Sequence, residues 1–194
     1  MLATRFPFIT TFILSLALNL MASPSVAALG QCEAAPGSAG NGSLGGTISN
    51  GTNGYWYAAG SNSPSAGSTA VTITSGGTNF ARNDLVLVIQ MQGAEINSSN
   101  NNNYGAGDGT GRGQTANNFF AGKYEFATVS SRTGNTITLK SPLQNSYRTA
   151  QGYKWQLIRV PQYQNLTLIS NLSAQAWNGS TGGVFVLDVA NTLS

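Results

Sequence analysis

Apolar and polar positions alternate with a period of two in several short stretches of this chain. No window sustains the period of about 3.6 that a helix requires. The clearest run is residues 84–92, where Leu85, Leu87, Ile89 and Met91 share one face and Val86, Val88, Gln90 and Gln92 the other. Its first half is apolar on both faces, as a central strand is, and the two glutamines predict that its end emerges toward solvent. Thr69, Val71 and Ile73 alternate with Ala70, Thr72 and Thr74 in a half-buried strand that Gly76-Gly77 ends. Residues 124–129 and 136–140 read as a hairpin around a turn at 131–135 that contains Gly134. Lys154 to Val160 is a strand closed by Pro161, residues 165–169 a shorter one, and Gly182-Gly183 introduces a last strand over 184–189.

Many short strands and no helix predict an all-β fold, a small antiparallel barrel or sandwich that leads into a β-helix or repeat array. The segment between Gly93 and Gly122 is long, polar and rich in Asn and Gly, and loops of that length tend to be functional or disordered. Residues 28–54 have no periodicity and read as a flexible Gly/Ser/Asn-rich leader. Order then begins at Tyr55, with the barrel or sandwich over residues 55–180 and the start of a downstream array over 181–194.

The first 27 residues stand apart. Arg5 precedes a mainly apolar stretch from Phe8 to Met21, and Ser25-Val26-Ala27 offers the small residues of a cleavage site, so 1–27 reads as a signal peptide. Thr10, Thr11, Ser15 and Asn19 interrupt the apolar run, which is shorter than the roughly 20 residues of a membrane span. No membrane span remains after cleavage, and the expected location is extracellular or at the cell surface. Gln31 stands where a lipobox before Cys32 needs a small residue, which argues against lipidation.

Composition agrees with export. Charged residues are 8% of the chain, against roughly 25% in ordinary soluble domains, while the 24 glycines and the many Asn, Ser and Thr suit turns. The few basic residues are dispersed and form no cluster that could displace counterions along a phosphate backbone, which excludes nucleic-acid binding. Cys32 stands alone, so no internal disulfide staples the fold.

With no histidine, Ser-His-Asp and Cys-His mechanisms are excluded, as is any His-containing zinc site. Glycoside hydrolysis needs only two carboxyls, but Glu33, Asp84, Glu95, Asp108, Glu125 and Asp188 share no motif that sets a pair at working distance, and no catalytic residue is assigned. Asp84 reads as the cap of the turn before its strand. Around Asp108 the run Gly107-Asp108-Gly109-Thr110-Gly111 has the look of a calcium loop, with Glu95 as a second carboxylate if the loop folds back; one carboxylate beside Arg112 reads first as a solvated loop. No other cofactor is implied. Tyr55, Trp56 and Tyr57 could stack on the apolar faces of sugar rings, whereas Trp155 shares a strand face with Leu157 and reads as core.

Five segments carry a resemblance: Asn83 to Gly93, Gly122-Lys123-Tyr124-Glu125-Phe126, Gly134-Asn135-Thr136-Ile137-Thr138-Leu139 with Pro142-Leu143, Gln156 to Tyr163, and Ala176 to Gly183. Over roughly residues 80–190 the chain resembles the N-terminal β-domain of large exported bacterial surface or adhesin-like proteins. It is also similar to the β-barrel caps of right-handed β-helix proteins. The resemblance implies a non-catalytic structural or adhesion module, with downstream repeats of the same polypeptide and surface glycans as partners. The alternative it implies is the cap of a secreted polysaccharide-active β-helix enzyme whose catalytic residues lie downstream.

Overall fold

A computed structural model describes residues 40–97 and 119–194. Residues 1–27, expected to be a signal peptide, and Cys32 and Asp108 lie outside the described residues. Six strands form one antiparallel sheet: β2 (Trp56–Ala59), β3 (Ala70–Thr72), β4 (Leu85–Gln92), β5 (Tyr124–Thr133), β6 (Thr136–Leu139) and β7 (Lys154–Val160), in the order β2-β7-β4-β5-β6-β3. The sheet curls until its edge strands meet where Gly60 bridges Ile73. There Ser61 N–H donates to Thr72 O and Thr74 N–H to Ala59 O, both at 2.8 Å. This meeting of edges curls the sheet into an antiparallel barrel, one of the two forms expected, and leaves few unpaired edge groups.

The barrel interior holds the inward residues of each strand: Ala58, Val71, Val86, Val88, Val129, Ile137, Leu139, Trp155 and Leu157, with Phe80 and Tyr147 from the connections. Trp155 lies at its centre, 1% exposed, its Nε1–H donating to Asn62 O at 2.7 Å. Gly60 is obligatory beneath it, because a Cβ there would fall inside the indole ring.

The second sheet is parallel. β1 (Asn41–Ile48), β8 (Gln162–Ala174) and β9 (Asp188–Leu193) stack in the order β1-β8-β9. Like side chains meet across the rungs. Asn165 donates to Asn41 Oδ1 at 2.8 Å, the hydroxyls of Thr47 and Ser173 lie 3.0 Å apart, Leu44 is in register with Leu168, and Leu166 with Leu193. Such ladders of like residues between parallel strands are the pattern of stacked β-coils. One rung follows the next by 26 residues between Gln162 and Asp188, whereas Asn41 and Asn165 are 124 apart. The whole barrel is therefore spliced into the connection between the first two rungs. The chain leaves the stack after Ile48 and enters the barrel on β2. It exits on the neighbouring strand β7, with Trp56 beside Arg159, and turns at Pro161 directly into β8.

Several sequence expectations shift. The expected leader over 28–54 contains β1, whose partner lies too far along the chain to leave a local pattern. β8 belongs to the parallel stack, not the barrel. The hairpin turn narrows to Gly134-Asn135, because β5 runs on to Thr133 through a bulge between Val129 and Ser131. Residues 184–187 alternate like a strand yet pair with none; β9 begins at Asp188. Gln92 emerges as expected, but Gln90 does not: it is 1% exposed inside the barrel mouth.

Candidate functional site

Gln90 shows a device that this sequence repeats. Arg148 N–H donates to its Oε1 at 2.8 Å and its Nε2–H donates to Arg148 O at 2.9 Å, so the side-chain amide pairs with one backbone residue as a neighbouring strand would. Asn50 does the same to Tyr57, at 2.6 and 3.2 Å, and Gln156 to Gly182, at 2.9 Å both ways. Side-chain amides thus serve as peptide surrogates wherever the ladder is interrupted, which satisfies buried backbone groups without charge.

Gln156 holds the segment on which the two sheets meet. Residues 182–187 cross the outer face of β2, β7 and β4 as an extended strap. Val184 and Val186 pack on Tyr57, Leu85, Leu87, Ile158 and Val160, and Leu187 joins Leu44, Ile48, Tyr55 and Leu166 in the core of the stack. Gly182 can open the strap only as glycine: its φ is 96°, and a Cβ would press on the carbonyl oxygens of Gln175 and Ala176.

This strap decides where the Tyr-Trp-Tyr cluster goes. Tyr55 and Tyr57 are 1% and 2% exposed, and their hydroxyls donate to Val186 O at 2.5 Å and Val184 O at 3.0 Å. Burial pushes both phenols above their ordinary pKa, so they remain neutral donors at physiological pH. Neither ring offers an open face to a sugar. Trp56 is half-buried on the opposite side of β2, its indole against Gly76. Tyr55 and Tyr57 are fastenings between barrel, strap and stack in this geometry, and Trp56 packs against the barrel core.

The described acids each have a structural partner. Asp84 caps its turn as expected, its Oδ2 accepting from Ala81 N–H at 2.7 Å, and pairs with Arg159 at 2.8 Å. Glu125 accepts the Gln144 and Asn145 N–H groups and the Tyr147 hydroxyl, while Tyr153 donates to Glu95 at 3.2 Å and Gln162 to Asp188 at 2.6 Å. Among the described residues no group of three or more His, Cys, Asp or Glu could hold a metal ion. The calcium expectation thus rests on Asp108, outside the described residues. A cavity of about 310 Å³ opens at the barrel–stack junction, lined by Asn53, Gly54, Asp84, Arg159, Pro161 and Gln162 among others.

Sequence reasoning missed Gln156 as the anchor of the strap. Its signal was present: one uncharged polar residue in the middle of Trp155, Leu157, Ile158 and Val160. It also missed the outer face of β5, where Tyr124 and Phe126 stand 60% and 42% exposed, two residues apart and on the same side.

No family model matches the chain, and no curated protein matches it. Among solved structures it is similar to three phage tailspikes. Gp54 of Acinetobacter baumannii phage AP22, solved in complex with A. baumannii capsular saccharide, is 15% identical with a TM-score of 0.34, over 68% of this chain and 19% of that one. Gp49 of Pseudomonas phage LKA1 is 19% identical with a TM-score of 0.34, over 68% and 22%. Gp61 of Pseudomonas phage phi297 is 15% identical with a TM-score of 0.30, over 71% and 19%. The chain spans about a fifth of each of these proteins, and none is similar enough to transfer an activity or a ligand.

Proposed function

We propose that this chain is a non-catalytic structural module of an exported surface protein: a barrel seated on the first rungs of a parallel β-stack, with β9 as the rung that receives the next strand. The supporting observation is the exposure of the leucines that share one face of the stack. Leu44 and Leu166 are each 1% exposed, Leu168 40% and Leu193 54%. Leu44 on β1 is sealed and Leu193 on β9 uncovered, with Leu166 buried and Leu168 uncovered on β8 between them; the β9 side is the place where a downstream repeat of the same polypeptide would lie. A free parallel edge beside uncovered leucines also templates association. In sedimentation velocity across a concentration series, the chain without residues 1–27 is expected to associate reversibly, and Leu168→Lys with Leu193→Lys to hold it monomeric with unchanged barrel stability. A wild-type chain that stays monomeric throughout makes the β9 end a finished surface and sinks the reading. Localisation at the cell surface or outside the cell rests on the signal-peptide pattern of residues 1–27.

A second reading, contact with surface glycans, rests on Tyr124 and Phe126, the exposed ring pair on β5. Aromatic faces of this kind stack on the C–H faces of pyranoses. Binding to a polysaccharide panel is expected to vanish in Tyr124→Ala/Phe126→Ala while the unfolding midpoint stays in place, since both rings are exposed. A blank panel for the wild-type chain at high concentration removes this reading. Were the chain instead the cap of a polysaccharide-active enzyme, the catalytic acids would lie on rungs beyond β9.

A further inference from the structure

The turn that carries the chain from stack to barrel places an unusual amide. Asparagine precedes glycine four times in the sequence, at Asn41, Asn50, Asn53 and Asn178. In such a pair the glycine nitrogen, with no Cβ beside it to crowd the approach, can reach the asparagine Cγ. Whether it does depends on how firmly the side chain is held. Three are clasped. Asn41 Oδ1 accepts from Asn165 at 2.8 Å within the ladder. Asn50 grips Tyr57 at both amide atoms, and the Gly51 N–H behind it is committed to Tyr55 O at 3.0 Å. Asn178 Oδ1 accepts the N–H groups of Ser180 and Thr181, both at 2.9 Å.

Asn53 differs in how it is held. Like the other three it is exposed, but its side-chain amide makes no hydrogen bond among the described residues, and only its carbonyl oxygen is engaged, by the Tyr163 hydroxyl at 3.4 Å. It occupies the left-handed region at φ 47°, followed by Gly54 at φ 83°, in a turn closed by Tyr55 N–H on Thr52 O at 2.9 Å. Asn53 also lines the cavity at the barrel–stack junction.

We propose that Asn53 is a site of spontaneous deamidation. The Gly54 nitrogen attacks Asn53 Cγ, a C–N bond forms, the Gly54 proton passes to Nδ2, and ammonia leaves a five-membered imide. Water then breaks either of the two ring C–N bonds, giving aspartate or isoaspartate. One water is consumed, one ammonia is released, and nothing is oxidised or reduced. Aspartate sets a new carboxylate beside the Asp84–Arg159 pair. Isoaspartate adds a backbone carbon inside the turn between Thr52 and Tyr55 and works against the hydrogen bond that closes it.

The test is timed incubation of the full chain in mildly alkaline buffer, followed by chymotryptic mapping with fragment-ion localisation. The expected first product is the acid and isoacid pair at Asn53. The clasped sites lag in proportion to the cost of opening them, each 1.4 kcal/mol of clasp slowing its site about tenfold. In denaturant all four sites should react at similar rates, which shows that the fold imposes the order. Earlier reaction at Asn41, Asn50 or Asn178 in the folded chain, or the same ranking with and without denaturant, overturns the proposal.

Discussion

Replacing Gln156 by glutamate is expected to destabilise the protein by about 3–5 kcal/mol near neutral pH, the range for an uncompensated buried charge. Most of that loss should return in acid. Gln156 is fully buried and uses both amide atoms on Gly182, so an ionised carboxylate there keeps the acceptor and loses the donor. It then faces Gly182 O oxygen to oxygen, with no water to screen it. Desolvation and the carbonyl both favour the protonated acid, so the new group's pKa in the fold rises above the value of about 4.3 in the unfolded chain. Between those two values the folded state binds a proton that the unfolded state has released, and stability falls as pH rises. Below about 4.3 both states are protonated, and the carboxylic acid can donate to Gly182 O as the amide did. Urea unfolding of variant and wild type at about pH 4 and about pH 7 measures this directly, as a difference between the two proteins that widens with pH. A deficit equal at both pH values would show that Gly182 is held by something other than the Gln156 amide.

Trp155→Ala is the other large loss, about 3–5 kcal/mol by analogy with aromatic truncations in cores. The indole fills the barrel centre, packs at 6.2 Å between centroids against Tyr147, and occupies Asn62 O; its removal leaves a void and an unmet carbonyl. The same ring is what forbids a Cβ at Gly60, which gives a sharper test than the single loss. Gly60→Ala alone is expected to cost about 1–3 kcal/mol by overpacking, and nearly nothing once Trp155→Ala has emptied the space. Denaturant unfolding followed by far-UV circular dichroism closes the double-mutant cycle. Additive losses would mean that the Gly60 requirement comes from the β2–β3 bridge and not from the ring.

These two residues also mark what alternation along the chain makes legible. β4 and β7 were readable because their neighbours across the sheet demand apolar residues at fixed spacing, and Trp155 shared its face with Leu157 as a core residue should. The parallel stack was not, because β1 owes its place to β8 at a separation of 124 residues and its own residues are mostly Gly, Ser and Thr. Val184 and Val186 alternate as a strand does, yet the partner of that stretch is a layer of side chains, and periodicity cannot tell a ladder from a strap. Tyr55 and Tyr57 looked available because a sequence does not say what crosses over them. Gln90 looked like an exit to solvent because an amide that pairs with a backbone reads the same as one that meets water.

The splice of the barrel between the first two rungs bears on how the chain can fold at all. Bringing β1 to β8 across so many residues is a slow, entropically costly closure for an unstructured chain. The barrel's own hairpin and antiparallel contacts form over shorter separations, and once β2 lies beside β7, Gly54 and Pro161, which flank the barrel and lead from β1 and into β8, are carried to the same place. The barrel then acts as the loop-closing device of the stack. Its assembly should precede rung pairing, and any change that slows the barrel should delay the first rung with it.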